Sequence, residues 1–410
     1  MSLKRAPHEA IAITGLGMVS CQGIGRDATW RGIIERRDAA QAWSGELPPH
    51  LAALRVAECP ELPCPANFRR RLWTSLSRGQ QMACIAADEA LDMAALPRRL
   101  PEIPCGCFVS TSVCGMDRTE QFYANYRLDN ARTPLENLKR VHPFELTKLL
   151  VKRHGLRGPQ YMNLTTCVGS SAAIGAAVDA IRAGLVPMAI AGGVDALCQL
   201  LISGFTSLRL VSTAGCRPFA HHRDGILPGE GGAIVVLESI RSARARGAQI
   251  IGYLRGFGAT CDGFHLTKPE PDGRQAYRAI CEALKDADVP ISAIDYINAH
   301  GTGTRDNDAT EAGIYRRLFE GLPMPPISST KHLTGHTFAA SGAIELGIAL
   351  MAMQACIIPP NACVVQDPAH AIHLAAAPLS QKINTVLHCN FAFGGNNTAM
   401  IVSALAGANP

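Results

Sequence analysis

One cysteine stands where a buried strand gives way to a helix of very small residues. The segment reads Asn163-Leu-Thr-Thr-Cys167-Val-Gly-Ser-Ser-Ala, which predicts a strand end, a sharp turn and a helix beginning at the cysteine. The first turn of a helix presents unpaired N–H groups and a partial positive charge. Both favour the thiolate over the thiol, and the thiolate is the nucleophilic form. Cys167 is therefore a candidate nucleophile.

Two histidines follow, each beside a glycine turn, in His300-Gly-Thr-Gly-Thr304 and in Lys331-His-Leu-Thr-Gly-His336. Acyl transfer to a cysteine needs a thiolate, donors for the oxyanion and a group that manages protons or charge. The N–H of Cys167 and an N–H of the turn Phe393-Gly394-Gly395 suit the oxyanion. Histidines titrate near neutrality, and two neutral imidazoles can donate hydrogen bonds to an enolate oxygen. The pattern predicts one site for carbon–carbon bond formation on thioesters.

The composition limits the classes of protein to which this chain can belong. The chain has 410 residues, of which 47% are hydrophobic and 18% charged, as expected for a globular protein of two domains or two halves. A net charge of +5 and an aromatic content of 5% argue against nucleic-acid binding. One basic run, Arg69 to Arg71, is either a solvated helix face or a docking patch for an acidic protein.

The fifteen cysteines are scattered and form no paired C-x-x-C motifs, so we expect no metal site. No secretory pattern opens the sequence, and no apolar run reaches the roughly 20 residues that a membrane span needs. These features predict a cytoplasmic protein whose cysteines are free and mostly buried.

Strands alternate with helices along the chain, which predicts an α/β fold. Each half contains one strand, turn and helix of small residues, the second helix opening at 338–347. We predict two pseudo-equivalent halves, with residues 1–248 carrying the nucleophile and residues 249–410 carrying both histidines. The small-residue helices would pack back to back in the centre. Cys167 and His336 would then stand at equivalent helix starts, facing one cavity.

Several motifs together give the chain a family resemblance over nearly its full length. It resembles the elongating β-ketoacyl-[acyl-carrier-protein] synthases of fatty acid and polyketide assembly. The motifs are Ile13-Thr-Gly-Leu-Gly-Met-Val-Ser, Thr166-Cys167-Val-Gly-Ser-Ser-Ala, Ala191-Gly-Gly, Arg223-Asp-Gly, Gly229-Glu-Gly, Asn298-Ala-His-Gly-Thr-Gly-Thr304, Ser329-Thr-Lys331 through Gly335-His336, and Asn390-Phe-Ala-Phe-Gly-Gly-Asn-Asn.

The resemblance implies a thiolase-like, duplicated αβαβα layered fold. It implies an acyltransferase that joins an acyl thioester to malonyl-[acyl-carrier-protein] by decarboxylative Claisen condensation. The substrates would be carried on the phosphopantetheine arm of acyl carrier protein, with no bound cofactor. The resemblance also implies a homodimer, with a heterodimer containing a ketosynthase-like partner as the alternative.

The resemblance assigns roles to individual residues. Cys167 is similar to the acyl-accepting nucleophile, and His300 and His336 to the pair that promotes malonyl decarboxylation and stabilises the enolate. Lys331 matches the lysine that supports the histidines, with Glu311 as its expected acidic partner. The remaining matches are Asp308 as a second acidic residue, Thr302 and Thr304 for pantetheine, Phe393 and Gly394 for gating and the oxyanion, Val113 and Phe205 for the acyl pocket, and Arg69, Arg70 and Arg71 for carrier docking.

The sequence departs from the family pattern near the site. Ala392 stands where glycine is common, Asn396 where threonine is common, and Thr166 and Val168 flank the cysteine where alanine is frequent. These departures favour a specialised pathway.

Two other classes stay open. A non-catalytic, chain-length-factor type of subunit would lack the nucleophilic cysteine. A thiolase that uses coenzyme A would rely on a second cysteine near the C-terminus, for which Cys389 is the candidate.

Overall fold

The strands arise from short apolar runs, as in Ile11–Ser20, where every residue is buried. The structure is a computed structural model that describes residues 9–45, 54–66, 68–128, 135, 138, 141–361 and 365–404. The strands are β1 (Ile11–Ser20), β2 (Gly23–Ile24), β3 (Gln41–Ala42), β4 (Arg55–Val56), β5 (Cys105–Ser110), β6 (Gln160–Asn163), β7 (Met188–Asp195), β8 (Gly231–Ser239), β9 (Gly252–Cys261), β10 (Tyr296–Asn298), β11 (Ile327–Ser328), β12 (Ile357–Ile358), β13 (Leu379–Ser380), β14 (Thr385–Phe391) and β15 (Asn396–Ser403).

The helices alternate with these strands. They are α1 (Arg26–Ile34), α2 (Arg70–Ser75), α3 (Arg78–Met93), α4 (Met116–Leu128), α5 (Phe144–His154), α6 (Gly169–Arg182), α7 (Gln199–Ser207), α8 (Ile240–Ala245), α9 (Arg274–Ala287), α10 (Arg305–Leu318), α11 (Lys331–Thr334) and α12 (Ser341–Ala355). Short 3-10 turns at Thr166–Val168 and Phe338–Ala340 lead directly into α6 and α12.

The main sheet repeats one plan twice. Its strand order is β11-β10-β14-β15-β9-β1-β8-β7-β5-β6, with β2 beside β1. In the N-terminal half β8 lies antiparallel between β1 and β7, and β5 and β6 then follow in parallel. In the C-terminal half β15 lies antiparallel between β9 and β14, and β10 and β11 follow in parallel. The predicted duplication is therefore confirmed.

The two halves meet through a short antiparallel pairing of β1 with β9. Helix α3 packs on β1 and β8, helix α9 packs on β9 and β15, and α6 and α12 contact each other in the centre. This gives the layered αβαβα arrangement expected from the resemblance. The division between residues 248 and 249 falls between α8 and β9 and stays a prediction.

Small residues allow the two central helices to approach closely. A Cβ atom added at Gly342 of α12 would lie 1.9 Å from Ser171 Oγ of α6 and 2.7 Å from Asn390 Oδ1 of β14. Because no side chain fits there, glycine is required where the helices and the strand meet. The close contact brings the starts of α6 and α12 to one place.

The equivalent of Cys167 in the second half is Ala339. Thr166 and Phe338 both have a φ of 50°, and each precedes the middle residue of the 3-10 turn that leads into a central helix. The prediction that Cys167 and His336 occupy equivalent helix starts is wrong, because His336 lies three residues before Ala339, the true equivalent of Cys167. His336 lies ahead of its turn, so its ring reaches the site from the loop that precedes the helix.

One described helical stretch, Phe338–Ala355, is apolar enough and long enough to cross a membrane, with a mean hydropathy of 1.4 over 18 residues. However, 89% of it is buried inside the fold, in the central helix layer. Its apolar character is accounted for by packing between the two half-sheets.

Candidate active site

The side chain of Asn163 fixes the turn that carries Cys167. Its Oδ1 accepts hydrogen bonds from the N–H of Thr165 at 3.3 Å and from the hydroxyl of Thr165 at 2.8 Å, and its Nδ2 donates to the carbonyl of Gly169 at 3.1 Å. Asparagine stabilises turns in this way. The next residue, Thr166, is left-handed, which is unusual for a β-branched side chain. Cys167 follows it and lines a cavity of about 400 Å³.

Burial governs the ionisation of the Cys167 thiol. Desolvation raises its pKa to about 12, although the charge of Lys331 and the N–H groups of Phe393 and Cys167 lower it. The helix start favours the thiolate as expected, but desolvation outweighs the favourable dipoles and the resting group is a thiol. The two N–H groups that act on the sulfur are nevertheless well placed for an oxyanion.

His300 and His336 lie side by side in the same cavity as Cys167. Their ring centroids are 5.6 Å apart, and the ring planes are nearly perpendicular, at 89°. Burial lowers the pKa of both imidazoles well below the ordinary range, and the nearby charge of Lys331 lowers it further. Both rings are therefore neutral at physiological pH.

The neighbours of each ring select one tautomer. His336 Nδ1 accepts from the N–H of Phe338 at 3.1 Å, and a backbone N–H can only donate. His300 Nδ1 lies 3.4 Å from Lys331 Nζ, an ammonium group that also only donates. Since Nδ1 is the acceptor in both rings, each neutral imidazole carries its proton on Nε2.

Lys331 is buried behind the histidines and forms an ion pair with Glu345. Its ammonium also donates to the carbonyl of His300 at 2.5 Å. The prediction that Glu311 pairs with Lys331 is wrong, because the oxygens of Glu311 accept hydrogen bonds from the backbone of His300 and Gly301. Beyond Glu345 the chain of hydrogen bonds continues through Asn390 Nδ2, at 2.7 Å, to Ser171 Oγ, 2.6 Å from Asn390 Oδ1. The histidine loop is thus linked to the helix that follows Cys167.

Two buried carboxylates shape the loop between His300 and Thr304. Glu311 accepts from the N–H groups of His300 at 2.7 Å and Gly301 at 2.8 Å, and burial raises its pKa to about 7. Asp308 accepts from the N–H groups of Thr302 at 3.1 Å and Gly303 at 3.2 Å. Both acids lie on α10 and act on the backbone of the loop.

Thr302 and Thr304 line the cavity, with their hydroxyl oxygens 2.9 Å apart. Exposed side chains of Arg305 and Asp306 line it as well, so the cavity opens to solvent on this side. A linear substrate can therefore pass the two threonines on its way to Cys167.

Phe393 and Phe205 form an aromatic wall of the cavity, with stacked rings whose centroids are 5.6 Å apart. The N–H of Gly394 is occupied by the carbonyl of Leu266 at 2.7 Å, so Gly394 does not serve as an oxyanion donor. Its φ of 80° instead allows the tight turn after Phe393. Within the turn at residues 393–395, the N–H that stays available to an oxyanion is therefore that of Phe393.

Val113 lies behind this wall, in an apolar cluster with Phe205 and Phe338, and does not line the cavity itself. Its N–H donates to Asp195 Oδ1 at 3.0 Å, and Asp195 Oδ2 accepts from the N–H of Ala339 at 2.8 Å. Asp195 thus joins the Val113 loop to the start of α12.

Family comparison agrees with this geometry. The sequence model of the Beta-ketoacyl synthase N-terminal domain matches residues 8–243, and that of the C-terminal domain matches residues 251–364. The chain belongs to the beta-ketoacyl synthase family. The resemblance drawn from the motifs is confirmed.

Similar proteins cover the chain almost end to end. Nodulation protein E of Rhizobium meliloti (strain 1021) is 32% identical, over 95% of this chain and 98% of the relative. The 3-oxoacyl-[acyl-carrier-protein] synthase 2 of the same strain is also 32% identical, over 97% and 99%. The solved ishigamide ketosynthase/chain length factor is 28% identical with a TM-score of 0.90, over 97% of this chain and 100% of the other. This beta-ketoacyl synthase is thus an acyltransferase of the 3-oxoacyl-[acyl-carrier-protein] synthase class.

Cys389 does not supply the second cysteine of a thiolase. It is fully buried in β14, among the apolar residues of the C-terminal half, and does not line the cavity. The cavity of the synthase brings together one cysteine and two histidines.

The arginine run lies on the surface of the synthase, away from this cavity. Arg69, Arg70 and Arg71 are exposed at the start of α2. Arg69 lines a separate groove of about 690 Å³ together with Lys148 and Lys152 of α5.

Sequence reasoning missed Glu345, Asp195 and Asn390. A signal existed for Glu345, because it is the single charged residue of α12, and an isolated charge in a buried helix needs a partner. Asp195 ends β7, where every residue is buried, and gave a similar signal. The contacts of Asn390 depend on the tertiary structure.

Replacing Glu345 by glutamine is expected to lower the free energy of unfolding by about 3–5 kcal/mol, because the Lys331 charge would stay buried without its partner. Denaturant unfolding measures this. The control is Glu282→Gln on α9, whose side chain is 48% exposed and 3.8 Å from Arg278; it should change stability by less than about 0.5 kcal/mol. Equal stability of Glu345→Gln and the parent would contradict the assignment of the ion pair.

Proposed function

We propose that Cys167 holds the acyl chain while His300 and His336 act on the incoming malonyl unit. The observation that supports this most is the pair of neutral imidazoles whose Nε2–H groups serve one cavity with the cysteine. Two donors without charge suit an oxygen that becomes negative only during the reaction.

In the first half-reaction Cys167 Sγ attacks the carbonyl carbon of the acyl thioester. The carbonyl electron pair moves to oxygen, where the N–H groups of Phe393 and Cys167 donate to it. Collapse expels the pantetheine thiolate, which takes up the proton released by the thiol. The raised pKa of Cys167 means that its proton leaves as the sulfur attacks, assisted by the charge of Lys331.

In the second half-reaction the malonyl carboxylate leaves as carbon dioxide, and its bonding electrons form an enolate. The Nε2–H groups of His300 and His336 donate to the enolate oxygen. The enolate carbon then attacks the thioester on Cys167, which forms the new carbon–carbon bond and releases the cysteine sulfur as a thiolate, and this thiolate takes up a proton from water. Apart from that proton, every step uses groups of this chain and of the substrates, so the proposal needs no bound cofactor.

The substrates would arrive on the phosphopantetheine arm of acyl carrier protein, with Thr302 and Thr304 beside the arm. The name of the similar Rhizobium meliloti synthase includes this carrier. The groove at Arg69 suits an acidic partner: Arg69, Arg99 and Lys152 line it and form no ion pair with the described residues, and Phe68 and Leu72 add apolar surface. We place carrier docking there.

A dimer is favoured by two unpartnered features of the N-terminal half. Strand β6 ends the sheet and pairs only with β5 among the described strands. Helix α4 has no buried residue, and Tyr123 is 59% exposed. An open edge strand and an apolar helix face are typical of an interface. The partner is a second copy or, as in the ishigamide ketosynthase/chain length factor, a related subunit.

The nucleophile distinguishes this chain from a non-catalytic subunit of such a pair, since Cys167 and both histidines are present in one cavity. Relatives named as a nodulation protein, as a 3-oxoacyl-[acyl-carrier-protein] synthase 2 and as a polyketide synthase subunit are similarly distant, at 29–32% identity. We propose a specialised pathway in the cytoplasm, with fatty acid synthesis as the alternative.

The two half-reactions are expected to separate in variants. Cys167→Ala should take no acyl label from an acyl carrier, because the nucleophile is gone. His300→Ala and His336→Ala should still be acylated but release carbon dioxide from malonyl carrier about 100-fold more slowly, since each lacks a donor to the enolate. Mass spectrometry of the protein and labelled carbon dioxide report the two steps.

The control for this experiment is His222→Ala, an exposed histidine outside the cavity, which should match the parent in both steps. Acyl labelling of Cys167→Ala at the parental level, or parental decarboxylation by both histidine variants, would contradict the proposed roles.

Carrier docking has its own test. The double reversal Arg69→Glu and Lys152→Glu should weaken carrier binding about tenfold at low salt, because opposite charges at an interface steer and hold the partner. The loss should shrink at high salt, where charges are screened. Titration calorimetry measures this, with Arg244→Glu, exposed on α8, as the control. If the double variant bound the carrier with unchanged affinity, the arginine run would be a solvated helix face and not a docking patch.

A further inference from the structure

The backbone and the ring plane of His336 are fixed by its neighbours. Its N–H donates to the carbonyl of Leu227 at 2.7 Å, and its carbonyl accepts from the N–H of Gly229 at 3.0 Å. Its ring stacks on that of Phe338, with centroids 5.1 Å apart and planes at 18°. Stacking sets the plane of the ring, but it is kept equally well if the ring makes a half-turn about the Cβ–Cγ bond.

The contacts of His336 Nδ1 distinguish these two orientations. Besides the N–H of Phe338, the hydroxyl oxygen of Ser341 lies 3.2 Å from this nitrogen. A half-turn of the ring would place a C–H group where Nδ1 now lies. Ser341 is the first residue of α12, is buried and does not line the cavity. Its hydroxyl therefore contacts the ring and not the substrate.

A second buried hydroxyl defines the direction of the bond. Thr337 Oγ1 lies 3.3 Å from Ser341 Oγ and has no other hydrogen-bond partner among the described residues. Because a buried hydroxyl hydrogen needs an acceptor, Thr337 donates to Ser341. The hydrogen of Ser341 then points to His336 Nδ1, which is already an acceptor for a backbone N–H. In the reverse direction the Thr337 hydrogen would have no acceptor, and lone pairs of Ser341 and His336 would face each other.

We propose that the Ser341 hydroxyl is a positioning group for His336. It holds the ring proton on Nε2 and keeps this N–H directed into the cavity, where the enolate oxygen forms. Hydrogen bonds in a chain polarise one another, so the relay from Thr337 through Ser341 also makes the Nε2–H a stronger donor. This inference rests on the proposed function, which assigns the enolate to His336.

The two histidines differ in what holds Nδ1. In His300 it is the ammonium of Lys331, at 3.4 Å, whereas in His336 it is two neutral donors. Loss of the Ser341 hydroxyl therefore weakens one enolate donor and leaves the other in place. Decarboxylation breaks the bond between the malonyl carboxylate and the adjacent carbon, and the electron pair passes into the enolate while carbon dioxide leaves. No proton is transferred to His336 in this step.

Acylation is the internal reference, because the N–H groups of Phe393 and Cys167 serve its oxyanion. We expect Ser341→Ala to lower kcat for carbon dioxide release from malonyl carrier about fivefold, which the loss of one neutral hydrogen bond accounts for. KM and the rate of acylation of Cys167 should stay at parental values. Ser341→Cys keeps a side chain of similar shape with a weaker donor and should give an intermediate kcat.

Nitrogen-15 NMR of histidine-labelled protein observes the hydrogen bond directly. The resonances of His336 are those absent from His336→Ala. In Ser341→Ala the Nδ1 resonance should move to higher frequency, because this unprotonated nitrogen loses a donor. The matched control is Ser403→Ala in β15, a buried serine whose hydroxyl lies 3.3 Å from that of Thr385, outside the cavity. It should leave both rates and the Nδ1 resonance unchanged.

Parental carbon dioxide release or an unmoved Nδ1 resonance in Ser341→Ala overturns the inference. An equal loss of acylation and decarboxylation also overturns it, because a general distortion of the site would be the cause. If His336→Ala itself releases carbon dioxide at the parental rate, the proposed function is wrong and the role of Ser341 in it falls as well. The Nδ1 resonance separates the two failures, since it reports the hydrogen bond without any reaction.

Discussion

One buried ammonium group, that of Lys331, acts together with burial on the ionisation of the whole site. Its charge lowers the pKa of His300 and His336 and favours the thiolate of Cys167. The same charge would be unstable in the interior without Glu345, which forms its ion pair. Burial and the Lys331 charge together keep two imidazoles neutral, and the Lys331 charge assists the nucleophile. These are the two conditions that the proposed chemistry requires.

The duplicated fold explains why these groups meet. Each half ends a strand with a turn that leads into a small-residue helix, and Asp195 of one half bonds the N–H of Ala339 in the other. Because the helices cross at Gly342 with no room for a side chain, the two turns are held in contact. The cysteine and His336 can then lie in one cavity although 169 positions of sequence separate them.

The fold, and the meeting of Cys167, His300 and His336 in one cavity, could be predicted from the sequence because their signals are local. Cys167, His300 and His336 each stand beside a glycine turn at the end of an element, and the alternation of strands and helices shows the duplication. Contacts across the fold were not predictable in this way. The resemblance led us to expect Glu311 as the partner of Lys331, yet the backbone of His300 and Gly301 occupies its carboxylate.

Two further differences have the same origin. A helix start favours a thiolate, but burial raises the pKa of Cys167 because the folded chain excludes water from the sulfur. The choice between Phe393 and Gly394 as oxyanion donor depends on Leu266, which occupies the N–H of Gly394 from a separate segment. Local patterns identify chemical groups, whereas desolvation and occupied donors decide how those groups behave.

The pH dependence of decarboxylation tests the central claim that both histidines act as neutral donors. The rate of carbon dioxide release from malonyl-pantetheine is measured between pH 5.5 and 8 in Cys167→Ala combined with Glu311→Gln, so that acylation, a carrier and the Glu311 carboxyl, whose pKa burial raises to about 7, contribute no titration. Because the pKa of both rings lies well below the ordinary value of 6.5, they stay neutral over this range and the rate should be constant. A rate that changes in either direction with a midpoint near pH 6.5 would contradict the account.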